Sequence, residues 1–185
     1  MATTVARTMS VEEFLELPND GCQQYELVQG ELVEMPGSGF EHSDISLGLG
    51  SELRTFVRQH TLGRVTGSDG AYILNREERT VLVPDAAFVR ADRLPPPDER
   101  AGILELAPDL VVEVASPNDS ANMISEKVRE YLDAGVKLVW VVFPKRRMVQ
   151  VFTPDRNSRL LYEDDDLDGG DVLPGFKMRV GAIFE

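Results

Sequence analysis

A single α/β domain, with a mixed β-sheet flanked by helices, is the fold class that this sequence predicts, on three observations. Residues 25 to 35 and 138 to 153 each hold two apolar runs about a turn, which calls for antiparallel hairpins. Between 110 and 143 a strand pattern, a helical pattern and a second strand pattern follow one another, an order that permits a parallel crossover. At 185 residues the chain suffices for one sizeable core and is short for two. With no internal repeat or dividing linker, the domain is placed at 10 to 185, behind a flexible N-terminus at 1 to 9.

The elements follow in order. Ser10 with Glu13 is a capping-box pattern and Pro18 a stop, so 11 to 17 is a short helix. Residues 25 to 35 alternate around Gly30 as a hairpin or a bent strand pair, and Pro36 to Phe40 is a Gly-rich connection. From 44 to 58, Ile45, Leu49, Leu53, Phe56 and Val57 keep helical spacing. Two strands are expected at 64 to 74 and 80 to 90, then a Pro-rich loop at 93 to 100. The apolar run 110 to 115 reads as a strand buried on both faces. A helix from 120 to 134, closed by Gly135, leads into strands at 138 to 143 and 148 to 153. An acidic loop and one short strand near 176 to 180 complete the chain.

Composition narrows the function. A formal net charge of -13 opposes a general nucleic-acid coating protein, whose affinity comes from neutralised phosphates. It is compatible with a nuclease, because carboxylates that hold metal ions add negative charge and a basic patch can be local. The apolar runs are too short to span a bilayer, and Glu12, Glu13 and Glu16 interrupt any signal-peptide core. The lone cysteine, Cys22, has no internal partner for a disulfide. A cytoplasmic protein is expected.

Two carboxylates stand out. Asp85 sits in Val81-Leu82-Val83-Pro84-Asp85-Ala86-Ala87-Phe88-Val89, and Glu113 in Leu110-Val111-Val112-Glu113-Val114-Ala115. Each is expensive to bury in an apolar strand unless its charge is compensated. A divalent cation shared between them would compensate both; so would separate pairing with lysine or arginine. Pro84 donates no hydrogen bond, so the strand is expected to be irregular there. On the helix that follows, Ile124, Val128, Tyr131 and Leu132 form the apolar stripe, with Lys127 on its edge. Lys127 can lay its stem over the sheet and present its ammonium to a site there, while Glu126 and Glu130 are expected to face solvent. As an edge residue, Lys127 is expected to contribute little to stability.

Tyr25-Glu-Leu-Val-Gln-Gly-Glu-Leu-Val-Glu-Met35, Glu41-His42, Val83-Pro84-Asp85, Pro108-Asp109-Leu110-Val111-Val112-Glu113-Val114-Ala115-Ser116-Pro117 and Glu126-Lys127 occur in this order. Tyr131-Leu132-Asp133-Ala134-Gly135-Val136 and Leu173-Pro174-Gly175-Phe176 follow. Together they resemble the Uma-two family of restriction endonucleases, within the PD-(D/E)XK nuclease superfamily, over nearly the whole chain. The resemblance implies a restriction-endonuclease-like fold and an endonuclease that hydrolyses phosphodiester bonds, most readily in DNA, with Mg²⁺ or its substitute Mn²⁺. It implies that Asp85 and Glu113 are metal ligands. The family's Glu-x-Lys element ends here in Ala115, and Lys127 is the substitute within reach. Glu26, Glu31 and His42 are candidate auxiliaries. A homodimer would suit cleavage of both duplex strands. The alternative is a catalytically weak or inactive nucleic-acid- or protein-binding module of the same fold.

Two further patterns invite chemistry. Asp164, Asp166, Asp168 and Gly169 imitate the start of an EF-hand loop, but position twelve is Gly175, so a solvated loop is expected. Lys145-Arg146-Arg147 could meet phosphate and reads first as a solvated hairpin tip.

Overall fold

Ser10 opens the first helix, α1 (Val11–Leu15), through the expected capping box. Its hydroxyl accepts from the Glu13 amide at 3.1 Å, and the Glu13 carboxylate accepts from the Ser10 amide at 2.9 Å. The computed structural model describes residues 8–17, 24–35, 37–117 and 119–185. Residues 1 to 7 of the expected flexible N-terminus, with Pro18, Cys22 and Pro36, lie outside the described residues. Met9 donates its amide to the Gly30 carbonyl at 2.7 Å.

The hairpin consists of β1 (Gln24–Val28) and β2 (Glu31–Met35), turned at Gln29 and Gly30, both at positive φ as a two-residue hairpin turn requires. Next, α2 (Phe40–Gln59) starts four residues earlier than its apolar spacing indicates, because Gly39 serves as N-cap. The two strands expected at 64 to 74 and 80 to 90 are four: β3 (Gly63–Thr66), β4 (Tyr72–Asn75), β5 (Thr80–Leu82) and β6 (Ala86–Arg90). A turn closed by the Gly70 amide on the Gly67 carbonyl splits the first stretch, and the donor-less Pro84 splits the second. Then come β7 (Leu110–Val114), α3 (Ala121–Asp133), β8 (Leu138–Phe143) and β9 (Met148–Phe152). Gly135, at φ 102°, closes α3 while the Val136 amide reaches back to the Tyr131 carbonyl. The tail holds three short strands where one was expected: β10 (Ser158–Tyr162), β11 (Asp166–Asp168) and β12 (Lys177–Arg179). The first is a largely exposed edge strand and the second spans three residues, so neither carries a strong apolar pattern.

A mixed six-stranded sheet, β10-β9-β8-β7-β6-β3, forms the body of the fold. Its β7–β8 pair is parallel, with α3 as the crossover, and its other pairs are antiparallel. A separate antiparallel sheet, β2-β1-β5-β4, stands beside it, and β11 pairs with β12. Alternation along the large sheet sends Phe88, Leu110 and Trp140 toward α2, where they bury Ile45, Leu49 and Leu53. The intervening residues Ala87, Val111, Val139 and Val141 pack on Val128 and Tyr131 of α3. Among the described residues no helix is long and apolar enough to cross a membrane.

The three residues 83 to 85 carry the chain from the small sheet to the large one. Elsewhere the strands approach too closely for any side chain. A Cβ on Gly63 would stand 2.0 Å from the Val89 carbonyl oxygen in the partner strand β6. The oxygen is backbone and the Cβ is fixed to its own backbone, so neither can swing away. Gly63→Ala is therefore expected to lower stability by about 3 kcal/mol in urea denaturation; an unchanged midpoint would show that β3 shifts freely.

Candidate active site

Asp85 lies in the break between sheets, one residue before β6. Ala86 pairs with Val112, so continuing the antiparallel register sets Asp85 across from Glu113 of β7. Both then belong to the sheet face covered by α3. The Val114 amide donates to Asp85 Oδ2 at 2.7 Å, tying the loop to the end of β7. His42, in the first turn of α2, brings Nε2 to 3.3 Å from the same oxygen. The Ser46 hydroxyl, one turn on, donates to the His42 carbonyl at 2.7 Å.

Lys127 joins the two sheets. Its Nζ lies 3.0 Å from Glu113 Oε2 in the large sheet and 3.0 Å from Glu26 Oε1 in β1 of the small one. Glu26 Oε1 also accepts from the Val83 amide at 2.9 Å. Tyr131, one turn beyond Lys127 on α3, donates its hydroxyl to Glu113 Oε1 at 2.5 Å. Three carboxylates, an ammonium, an imidazole and a phenol thus converge from four elements and one loop.

Burial sets the electrostatics. Desolvation raises the Glu113 carboxyl from 4.5 to about 7, against the lowering effect of Lys127 and with the charges of Glu26 and Asp85 adding to the rise. Burial alone would disfavour the Lys127 ammonium; Glu113 and Glu26 reverse that and hold it above its ordinary range. Two carboxylates face this one cation, so the lysine stays charged. Burial also pushes the Tyr131 hydroxyl well above its ordinary value, so it stays a donor. The Asp85 carboxylate raises His42, with desolvation opposing.

The sequence-based candidates Asp85, Glu113, Lys127, Glu26 and His42 come together. Glu31 does not: it is exposed at the start of β2, opposite Val28. Glu130 corrects an expectation, since it is buried rather than solvated and accepts from Gln29 Nε2 at 2.8 Å. The β1–β2 turn and β5 cover that side of α3, a contact that helix periodicity alone does not reveal. Lys127, whose side chain is only 21% exposed, pairs with both Glu26 and Glu113, so its removal is expected to cost more than its edge position in the helical stripe implies. Tyr131 and Ser46 were missed, Tyr131 because its ring fits the apolar stripe that it also completes. In the acidic tail, Lys177 pairs with Asp166 and Arg159 with Asp168, as a solvated, ion-paired surface requires.

Among the described residues no three His, Cys, Asp or Glu side chains group closely enough to hold a metal by themselves. That is compatible with Mg²⁺, which takes one or two carboxylates and keeps several waters. The hard oxygens of Asp85 and Glu113 meet that requirement, whereas the side between Glu113 and Glu26 is already filled by the Lys127 ammonium.

A crystal structure described as "a putative nuclease belonging to DUF820", from Anabaena variabilis ATCC 29413, matches with a TM-score of 0.85 at 21% identity. The match covers 95% of this chain and 97% of that one, and the shared fold is restriction-endonuclease-like. No curated protein matches the chain. The Uma2 family model, described as "Putative restriction endonuclease", matches residues 11–181. With nearly its whole length matched by that model, the chain belongs to the Uma2 family.

Proposed function

We propose that the protein is an endonuclease that hydrolyses phosphodiester bonds in DNA, with Mg²⁺ bound by Asp85 and Glu113 and Mn²⁺ able to replace it. The observation that carries this reading is the convergence of Asp85, Glu113 and Lys127 at one end of the β6–β7 pair. Bound there, the metal would supply a water activated near neutral pH and charge stabilisation at the phosphate. The chain's own residues do the rest. Lys127 holds a positive charge beside Glu113, where it can orient the attacking water or meet the charge that develops on phosphate. Its ammonium occupies the role that Ala115 cannot fill. Glu26 fixes the lysine from the far side, and Tyr131 fixes the Glu113 carboxylate. His42 stands against Asp85, placed to give or take a proton at the edge of the site. A symmetric pair of chains would serve two cuts on a duplex.

A binding module without turnover is the second reading. It is favoured by the side-chain partners that already compensate Asp85 and Glu113 and by the net charge of -13. Melting with and without Mn²⁺, together with nicking of plasmid DNA, separates the two. For a nuclease, Mn²⁺ raises the Tm of the wild type. Asp85→Asn loses that shift and at least about a hundred-fold of the cleavage rate. Absence of both a metal shift and nicking in the wild type selects the binding module.

A further inference from the structure

Beside the acidic cluster lies a cavity of about 420 Å³ that the hydrolytic chemistry does not use. It is within the usual range of small-ligand pockets, roughly 300–1,000 Å³. The first turn of α2, the β8–β9 turn and the C-terminal residues enclose it. Its position follows from connectivity: Glu41 on its wall precedes His42, and Pro144 follows the last residue of β8, the parallel neighbour of Glu113's strand. The cavity and the catalytic cluster therefore open at the same end of the large sheet.

Its walls are chemically divided. Phe40 stands 88% exposed at the rim, an arrangement that costs apolar hydration and does nothing for the core. Phe184 also lines it, with the Arg147 guanidinium stacked 5.1 Å from its ring centroid and tied to Glu163 at 2.8 Å. Lys145, on the lip, and its exposed neighbour Arg146 make no ion pair among the described residues. They belong to the sequence's one run of three consecutive cations, in a chain of net charge -13. Glu41 and Asp44, on α2 with Phe40, add acceptors to the lining.

An exposed aromatic ring, a lysine in the lining with Arg146 next to it in sequence, and carboxylate acceptors on α2 match one nucleotide. The base stacks on Phe40, its phosphate meets Lys145 and Arg146, and exocyclic amino groups donate to Glu41 or Asp44. We infer that this cavity receives an unstacked base next to the scissile phosphate, so that the protein prefers single-stranded or locally unpaired DNA. Bases inside an intact duplex keep their faces covered and cannot offer one to Phe40. This inference rests on the nuclease reading for the position of the scissile bond, but binding at the cavity can be measured without cleavage.

The test uses the full chain and a labelled 12-nucleotide DNA strand, alone or annealed to its complement. Fluorescence anisotropy without divalent metal gives affinity, and Mn²⁺ is then added to follow cleavage. The wild type is expected to bind the single strand about ten-fold more tightly than the duplex, the scale of one base–aromatic stack. Phe40→Ala should remove that preference with no change in Tm, since the ring is outside the core. Lys145→Ala with Arg146→Ala should weaken single-strand binding and reduce its log–log salt slope by about 1.4, for two lost phosphate contacts. Equal single-strand affinity in wild type and Phe40→Ala, or a preference for duplex, overturns the inference. If that result accompanies cleavage that Asp85→Asn abolishes, the nuclease reading survives alone. If Phe40→Ala loses the preference while no form cleaves, the cavity stands and the nuclease reading falls.

Discussion

Lys127→Ala should lower stability by about 3 kcal/mol at pH 8 and cut cleavage at least a hundred-fold. Lys127 is the shared cation of Glu26 and Glu113, and Glu26's side chain is 3% exposed. Without the ammonium two buried carboxylates face each other, and water has little access to screen them. The loss should shrink at pH 5.5, where Glu113 takes up a proton, because its carboxyl is already raised to about 7 with the lysine present. Lys127→Ala combined with Glu113→Gln should recover more than half of the lost stability, since the second change removes one of the uncompensated charges. Urea denaturation of the four proteins at both pH values measures the coupling. A single variant as stable as wild type at pH 8 would mean that the lysine is a surface cation only.

Glu113→Gln is expected to abolish metal-dependent cleavage while flattening the pH dependence of stability. The folded-state value of about 7 lies above the ordinary 4.5, so the native state holds this proton more tightly than the unfolded chain does. Stability from this group is thus full below pH 4.5 and declines as pH rises through 7, by about 3 kcal/mol in all. His42, raised by Asp85, contributes with the same sign: its share is present below its ordinary value and lost as pH rises through the elevated one. Thermal melts of metal-free protein from pH 4 to 9 should fall less steeply for Glu113→Gln than for wild type. The variant should also lose the Mn²⁺-induced rise in Tm. Parallel pH curves for the two proteins would show that Glu113 stays ionised throughout and would remove the basis for its raised value.

How much of this was legible before folding depended on the kind of signal. Asp85 and Glu113 were visible because charges inside apolar strands violate the pattern around them. Lys127 was visible as a cation at the margin of a helical stripe, but its burial was not, because Glu26 of β1, which it meets, lies about a hundred residues away in sequence. Glu130 was misjudged for the same reason. Pro84 was recognised as an irregularity, yet nothing local told that the chain changes sheets there. Glu26 and Glu31 look equivalent in an alternating hairpin; only the pairing of β1 with β5 turns Glu26 inward. Tyr131 carried no separate signal, since a buried phenol reads as core until its hydroxyl finds a partner.

The division of the acidic cluster between two sheets has a consequence for the order in which the protein fails. One face of the small sheet has a modest core of its own, Val11, Phe14, Leu27, Ile73 and Val81, while Tyr72 and Leu82 of its other face share the core that packs under α3. Local opening draws on the least stable unit of a structure first. A fluctuation that lifts β1 away would take Glu26 from Lys127 while Trp140, the chain's one tryptophan, stays sealed in the large sheet's core. On the proposed function, heat or mild denaturant would then stop cleavage through a partly open species whose fluorescence still looks native. Amide protons in β1 and β5 would exchange ahead of those in β7 and β8, and loss of activity would track the first group.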